Sequence, residues 1–366
     1  MNEKNYNEEE LTVESAPQEE VATEQTSIAE EAVTETEKEE NAVLRFIRYA
    51  MKNFDKWKGW LYLAPCIGLL LVFTVWPIIN TLRVAFLEGY DSLLATNPYV
   101  EYTFDVGIGN FKHVINAPRF LTCLKNTLLL CVLTVPISTA LALLIAVCLN
   151  AIRPLRRFLQ TIFFLPYVTN SIAIGMVFAA MFNMVGSGLG GENPYIQTAG
   201  IMNNIIGLFG FEPVNWINQG SSYAANITVM TVYIVWNALP FKILILLGGL
   251  QSVNKQYYEA AKIDSTPRWR VFLKITVPLL SPMLAYVVIT GFIGGFKEYS
   301  SIVGIFGDKM GAPGAAGSLN TMVGYIYDSI ANTKHGIASA AALILFVIIF
   351  IVTMINLYVS KKKTHY

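Results

Sequence analysis

The sequence predicts an all-α, polytopic membrane protein with six transmembrane helices, and three observations carry that reading. Hydrophobic residues make up 54% of the 366 positions and charged residues only 14%, against about 25% charged in an ordinary soluble domain. Six stretches stay predominantly apolar over the roughly 20 residues a helix needs to cross a bilayer. The segments between them alternate in Lys and Arg content, rich on one side and poor on the other.

The spans expected from the apolar runs are Trp60–Thr81, Leu124–Leu149, Phe158–Phe182, Ala224–Leu250, Val277–Phe296 and Ile337–Tyr358. Pro136, Pro166 and Pro240 fall inside three of them. Membrane helices tolerate such residues because neighbouring groups re-satisfy the freed backbone. Arg45, Arg48, Lys52, Lys56 and Lys58 precede span one; Arg153, Arg156 and Arg157 join spans two and three; Lys361, Lys362 and Lys363 follow span six. Between spans four and five, Lys255 to Lys274 holds five Lys or Arg. By contrast, Gly186 to Tyr223 has none. Basic loops stay in the cytoplasm, so both termini are expected inside.

The zero net charge hides two different materials. Residues 1–40 hold fourteen Glu against Lys4 and Lys38, a net of −12, and the remainder nets +12. The acidic segment has one aromatic, Tyr6, and no sustained helical stripe, so it cannot bury enough apolar surface to offset chain ordering. It is expected to be disordered, either a solvated spacer or an acidic docking arm for a basic partner. It lacks the basic start and early apolar run of a signal peptide. The expected organisation is an acidic cytoplasmic tail (1–42), a basic juxtamembrane segment with the first span and an external loop (43–121), a five-span core (122–360) and a short basic tail (361–366).

A membrane-embedded enzyme would need reactive groups at membrane depth. The three histidines, His113, His335 and His365, fall in loops or the tail. No HExxH, GxSxG or phosphate-binding Gly-rich loop is present. Cys66, Cys123, Cys131 and Cys148 lie in or beside apolar spans without CxxC spacing, and read as small core residues with no metal set. No cofactor is expected.

The segment from about residue 254 to 282 is charged and turn-broken. Gln256 to Ile263 suits a short helix with Tyr257, Ala260 and Ala261 on one tight face. Asp264-Ser265-Thr266-Pro267 breaks it, with Thr266 a good N-cap and Pro267 suited to a first helical position. A second helix is expected from Arg268 toward Pro278. The residues alone leave two readings open: a helix–turn–helix on the cytoplasmic face, or an amphipathic loop with snorkelling cations.

YEAAKID followed by PRWRVFLKITVPLL resembles the EAA loop of binding-protein-dependent ABC importer permeases, in the form of the carbohydrate-uptake, maltose-type branch. The resemblance continues through LKNTLLL (124–130), FFLPYVTNSIAIGMVF (163–178), GGLQSVNKQYYEAA (248–261), GDKMGAPGAAGSLNTMVGYIYDSI (307–330) and HGIASAAALILFVI (335–348). The family usually has Gly where this chain has Ser265, and Pro where it has Asn254, which suggests a slightly different turn at Ser265. The resemblance implies a type I ABC importer permease fold, importing a sugar or oligosaccharide. It implies a second permease chain, two cytosolic ATPase subunits that bind the ATP, and an extracytoplasmic sugar-binding protein, and no nucleic acid. Permeases for a polyol, a glycerol phosphate or a polyamine are the alternatives within transport. Tyr258, Glu259, Ala260, Ala261, Asp264, Ser265 and Pro278 would form the ATPase-coupling loop, with Glu259 meeting a basic residue of the ATPase.

A sugar path wants aromatic faces beside hydrogen-bonding groups. Tyr167 and Asn170, Trp236 and Asn237, Lys242, and Glu298 and Tyr299 are the candidates. Each can equally be a packing aromatic or interhelical polar glue. Lys242 is an ionisable group inside a span, where cost implies function, although two residues past Pro240 it can also snorkel.

Overall fold

A computed structural model describes residues 44, 58–60, 62–95, 103–152, 156–184 and 200–363. The acidic tail and the basic residues Arg45 to Lys56 and Arg153 lie outside these. The chain divides into two units, residues 1–78 and 79–366.

Helix α1 spans Tyr62–Ala85 and carries a π-helical stretch at Leu71–Val75. In the second unit, α2 (Gly109–Asn116) leads through Ala117 into α3 (Pro118–Ala151). Pro118 sits where its missing N–H costs nothing, so α3 starts ahead of the expected span and of the expected core boundary at 122. Its 34 residues extend roughly 50 Å, and Pro136 does not interrupt it.

The expected third span is not one helix. It consists of α4 (Arg156–Val168) and α5 (Ser171–Phe182), bent by 104°. Asn170 explains the restart, since its Oδ1 accepts from the N–H groups of Ile172 (2.9 Å) and Ala173 (3.4 Å). That is how an N-cap satisfies the first orphan donors of a helix. The short α6 (Ile201–Gly207) lies in the following loop, and α7 (Tyr223–Ser252) is capped by Ser222.

The EAA-like segment folds as α8 (Lys255–Ile263) and α9 (Arg268–Leu279), with a π-helical stretch at Phe272–Thr276 inside α9. Helix α10 (Ser281–Phe296) follows at 68° to α9, so the fifth span is also bent. Then come α11 (Ser300–Phe306), α12 (Met322–Ala331) and α13 (His335–Lys363). Among the described residues, four helices are long and apolar enough to cross a membrane, and up to six spans result if each bent pair counts as one. Among the described residues the only β-pairing is one bridge between Leu87 and Val106.

Among the described residues the core of this unit forms three clusters. One joins α2, α3, α12 and α13 around Val114, Phe120, Met322 and Leu345. A second surrounds Met230, Tyr233, Ile302 and Leu319. The third packs Leu246, Leu247, Leu280 and Val287 where α7 meets the elbow between α9 and α10. Cys123 and Cys131 are buried as expected, whereas Cys66 and Cys148 are exposed.

Polar groups order the segment between α11 and α12. Asn126 donates to the carbonyls of Ser318 and Asn320 (both 2.9 Å) and accepts from the Tyr223 hydroxyl (2.7 Å). Thr127 accepts from the Met322 N–H (3.1 Å). Arg119 and Asp328 pair at 2.5 Å near the same end.

Candidate functional site

Four helical stripes converge on a cavity of about 280 Å³ within the second unit. Thr134 and Ser138 come from α3, Tyr167 from α4, and Asn237, Phe241 and Lys242 from α7. Gly291, Gly294, Gly295 and Glu298 come from α10 and the turn after it. The spacings are helical: Thr134 to Ser138 and Asn237 to Phe241 are four apart, and Gly291, Gly294 and Glu298 recur every three or four. Residues so spaced share one face of a helix.

Glycine suits Gly291 and Gly295 on the α10 stripe because of how closely the helices approach there. A Cβ at Gly291 would stand 3.1 Å from Val135 Cγ1 and 3.2 Å from Lys242 Nζ, and one at Gly295 would stand 2.8 Å from Cys131 Sγ. Small residues let membrane helices pack this tightly. A Cβ at Gly294 would meet nothing within 4 Å, which leaves open space on that side.

Lys242 does not snorkel. It is buried, and its Nζ donates to Ser138 Oγ (2.6 Å), Thr139 Oγ1 (3.0 Å) and the Val135 carbonyl (3.3 Å). Ser138 and Thr139 send their own protons to carbonyls of α3. Their lone pairs are therefore left for the ammonium. The side chain turns inward because three acceptors already face it from the neighbouring helix, and no solvated end of the span has to be reached.

The structure brings Tyr167, Asn237, Lys242 and Glu298 to the cavity and directs the other three candidates elsewhere. Asn170 is the cap of α5. Trp236 packs on Phe178 (ring centroids 5.3 Å apart), which also meets Tyr233 (5.0 Å). Tyr299 stacks on Tyr327 of α12 at 4.5 Å. Glu298 additionally accepts from the Ser301 N–H (3.3 Å) and offers its carbonyl to the Thr321 hydroxyl (2.8 Å). Phe241, Thr134 and Ser138 were not among the expected path residues. The i, i+4 step from Asn237 and the buried polar stripe Thr127, Thr134, Ser138 on an apolar helix were the available signals.

The second candidate region is the loop of α8 and α9. Asn254 caps α8 by accepting from the Gln256 N–H (3.0 Å), a role the family's Pro cannot take. Asp264 is the C-cap, and Ser265 adopts a left-handed φ of 49°. The Ser265 N–H reaches the Lys262 carbonyl (3.1 Å) and the Thr266 N–H the Ala261 carbonyl (2.9 Å). This is the Schellman arrangement, whose left-handed position normally favours Gly. Ser265 therefore makes the turn that Gly would make, at a steric cost, and not the different turn expected. The N-cap position of α9 belongs to Pro267, not Thr266.

The inward face of α8 also differs from expectation. Ala261 is buried and Tyr258 half-buried, with the Tyr258 and Thr276 hydroxyls 3.3 Å apart. Tyr257, Glu259, Ala260 and Asp264 are exposed, beside the strongly exposed Ile263 and Trp269. Pro278 lies in the last turn of α9. The loop's exposed face thus carries Glu259 and Asp264 among the cations Lys255, Lys262, Arg268 and Arg270 and the apolar Ile263 and Trp269, while its inner face ties α8 to α9.

A profile of the binding-protein-dependent transport system inner membrane component family matches residues 138–365, which include the α8–α9 loop and the cavity residues from Ser138 onward. The chain belongs to this family. The permease is 28% identical over 324 residues to the lactose transport system permease protein of Rhizobium radiobacter, covering 86% of this chain and 98% of that one. It is 31% identical over 303 residues to the arabinooligosaccharides transport system permease protein of Bacillus subtilis (strain 168), covering 82% and 88%. Its fold resembles a chain in the crystal structure of a bacterial ABC transporter involved in the import of the acidic polysaccharide alginate. There the TM-score is 0.67 at 19% identity, over 87% of this chain and all of the other. The permease is therefore a multi-pass component of a binding-protein-dependent ABC transporter in the plasma membrane, and its family is one of transport subunits, not enzymes.

Proposed function

We propose that the permease moves a sugar or oligosaccharide into the cell, using ATP hydrolysed by partner subunits. The observation that carries this reading is the composition of the cavity. Tyr167 and Phe241 present ring faces stacked at 5.9 Å, and Asn237, Thr134 and Glu298 present hydrogen-bonding groups around the same space. A saccharide has the matching character, apolar ring faces edged by hydroxyls. The relatives named for lactose and arabinooligosaccharides support the same class.

The complex proposed has a second permease chain, two cytosolic ATPase subunits and an extracytoplasmic sugar-binding protein. Glu259, on the outer face of α8, meets a cationic group in a cleft of one ATPase subunit. Closure of the ATPase pair pulls on α8, and the Tyr258–Thr276 contact passes that displacement to α9. The elbow at Leu280 then passes it to α10, which with the turn after it carries Gly291, Gly294 and Glu298 to the cavity wall. Rigid-body coupling of this kind links distant sites through an element with two arrangements.

The test is uptake by the reconstituted transporter of lactose, an arabinooligosaccharide, a polyol, glycerol phosphate and a polyamine. Saccharide uptake that requires ATP is expected, with Asn237→Leu reducing it about tenfold through loss of one half-buried hydrogen-bonding side chain. Uptake of a non-sugar with none of a saccharide overturns the reading.

A further inference from the structure

Helix α6, in the loop between α5 and α7, turns its apolar side chains outward. Beside the half-buried Met202 and Ile206, its inward face carries Asn203, which is 3% exposed. Asn203 donates to the Val214 carbonyl (2.9 Å) and accepts from the Val214 N–H (3.1 Å) and the Trp216 indole N–H (2.8 Å). On the outward side, Ile201, Ile205 and Leu208 recur at the i, i+4, i+7 spacing of one helical face. All three are exposed, Leu208 to 85%, with Asn204 the one polar side chain beside them. Gly210, at a left-handed φ of 80°, ends the helix, and Phe209 and Phe211 on either side of it are exposed as well. A helix on a wet protein surface shows the opposite pattern, with its apolar stripe toward the core. From Gly200 to Tyr223 there is one charged residue, Glu212, and no Lys or Arg.

The level of this face is set by the span before it. An exposed apolar stripe of α5, Ile172, Met176 and Ala180, runs to the C-terminal end of that helix. There a Cβ at Gly200 would collide with the Asn183 carbonyl, so the first turn of α6 is seated directly on the end of α5. Asn218 braces the same junction, donating to Asn183 Oδ1 (2.6 Å) and accepting from the Met184 N–H (3.1 Å). The apolar face of α6 therefore continues the apolar surface of the span at the level where the span leaves the bilayer. From this we propose that α6 and the turn after it are a membrane-interface foot, with Ile201, Ile205, Leu208 and Phe211 set into the lipid leaflet at that end of α5. A face of this kind reaches about 5–10 Å into the boundary between headgroups and acyl chains. Seven residues are too few to hold a membrane alone, and the braced junction with α5 keeps them there. Insertion is apolar and not electrostatic, because the segment has no cation to draw anionic headgroups. Phe209, at the margin of the stripe, lies at headgroup depth and within reach of water-borne reagents. The foot fixes the end of α5, so a displacement reaching the third span bends it at Asn170 and does not slide it along the membrane normal. The inference is independent of which solute the permease carries.

The experiment uses the complete transporter in phosphatidylcholine vesicles, with the exposed Cys66 and Cys148 replaced. A single nitroxide label is placed at Ile205→Cys, at Leu208→Cys or, as a control in the same loop, at Gln219→Cys; all three positions are exposed, so the fold does not depend on them. Collision of the label with oxygen, which concentrates in lipid, is compared with collision with a water-soluble nickel chelate. The oxygen-to-nickel ratio is expected to be severalfold higher at 205 and 208 than at 219, and to stay the same when phosphatidylglycerol is added to the vesicles. Equal ratios at the three positions overturn the proposal, because the face then lies in water. Low collision with both reagents at 205 and 208 also overturns it, because a protein then covers the face. That protein is the second permease chain if the protection is constant, and the binding protein if protection appears only when that subunit is added. A ratio that rises only with phosphatidylglycerol contradicts apolar insertion.

Discussion

Ser138→Ala should destabilise the permease through a residue it does not alter. Ser138 is 1% exposed and accepts the shortest of the three Lys242 hydrogen bonds, at 2.6 Å. Removing the hydroxyl leaves one N–H of a buried ammonium without an acceptor, while Thr139 and the Val135 carbonyl keep theirs. An unmet charged donor costs at the upper end of about 1–3 kcal/mol. Lys242→Met removes the donor and its desolvation penalty together. Ser138 and Thr139 then still donate within α3, at 2.5 and 2.7 Å, so Lys242→Met alone should cost about 1 kcal/mol or less. Placed in the Lys242→Met background, Ser138→Ala should also cost about 1 kcal/mol or less, giving a coupling of about 1–2 kcal/mol between the two positions. Mixed-micelle unfolding of the four proteins measures that coupling. Additive effects would refute the assignment of Ser138 as the ammonium's partner.

Orientation is tested in a background with Cys66, Cys123, Cys131 and Cys148 replaced. Phe209→Cys should react with an impermeant thiol reagent added outside intact cells and Ser265→Cys should not, and the reverse pattern would invert the topology. Ser265→Gly relieves a left-handed φ of 49°. It should raise the unfolding free energy by about 1 kcal/mol without lowering uptake, whereas Ser265→Val should lower stability; unchanged stability in both would show that the turn carries no strain.

How much of this was legible in the sequence depended on the range of the interactions. The apolar runs located six spans because bilayer thickness acts on each segment separately. The break in the third was signalled by Asn170, but an Asn in an apolar run serves equally as cap or path group, and only the restart of the helix decides. Two candidate pairs, Trp236 with Asn237 and Glu298 with Tyr299, were sequence neighbours. Adjacent helical positions do not share a face, so Trp236 turns to Phe178 while Asn237 meets the cavity. Glu298 and Tyr299 part in the same way, in the turn after α10. The partners of Lys242 lie more than 100 positions away on α3, and no local pattern reports a contact of that range. Ser265 shows the converse: the loop's hydrogen bonds determine the turn strongly enough to hold a residue in a conformation its own sterics disfavour.

Glu259→Lys tests most directly whether this chain is a transport subunit driven through its loop. Glu259 is exposed in the isolated chain, in the middle of α8. Its replacement should therefore leave folding and insertion intact and act only where a partner covers it. Breaking a buried ion pair costs about 3–5 kcal/mol, more than a hundredfold in affinity. Saccharide uptake and co-purification of the ATPase subunits are measured on the same membranes. Normal insertion is expected with uptake lost and the ATPase either absent or retained without transport, and a charge reversal on the ATPase should partly restore uptake. Wild-type uptake together with wild-type ATPase retention would contradict this expectation.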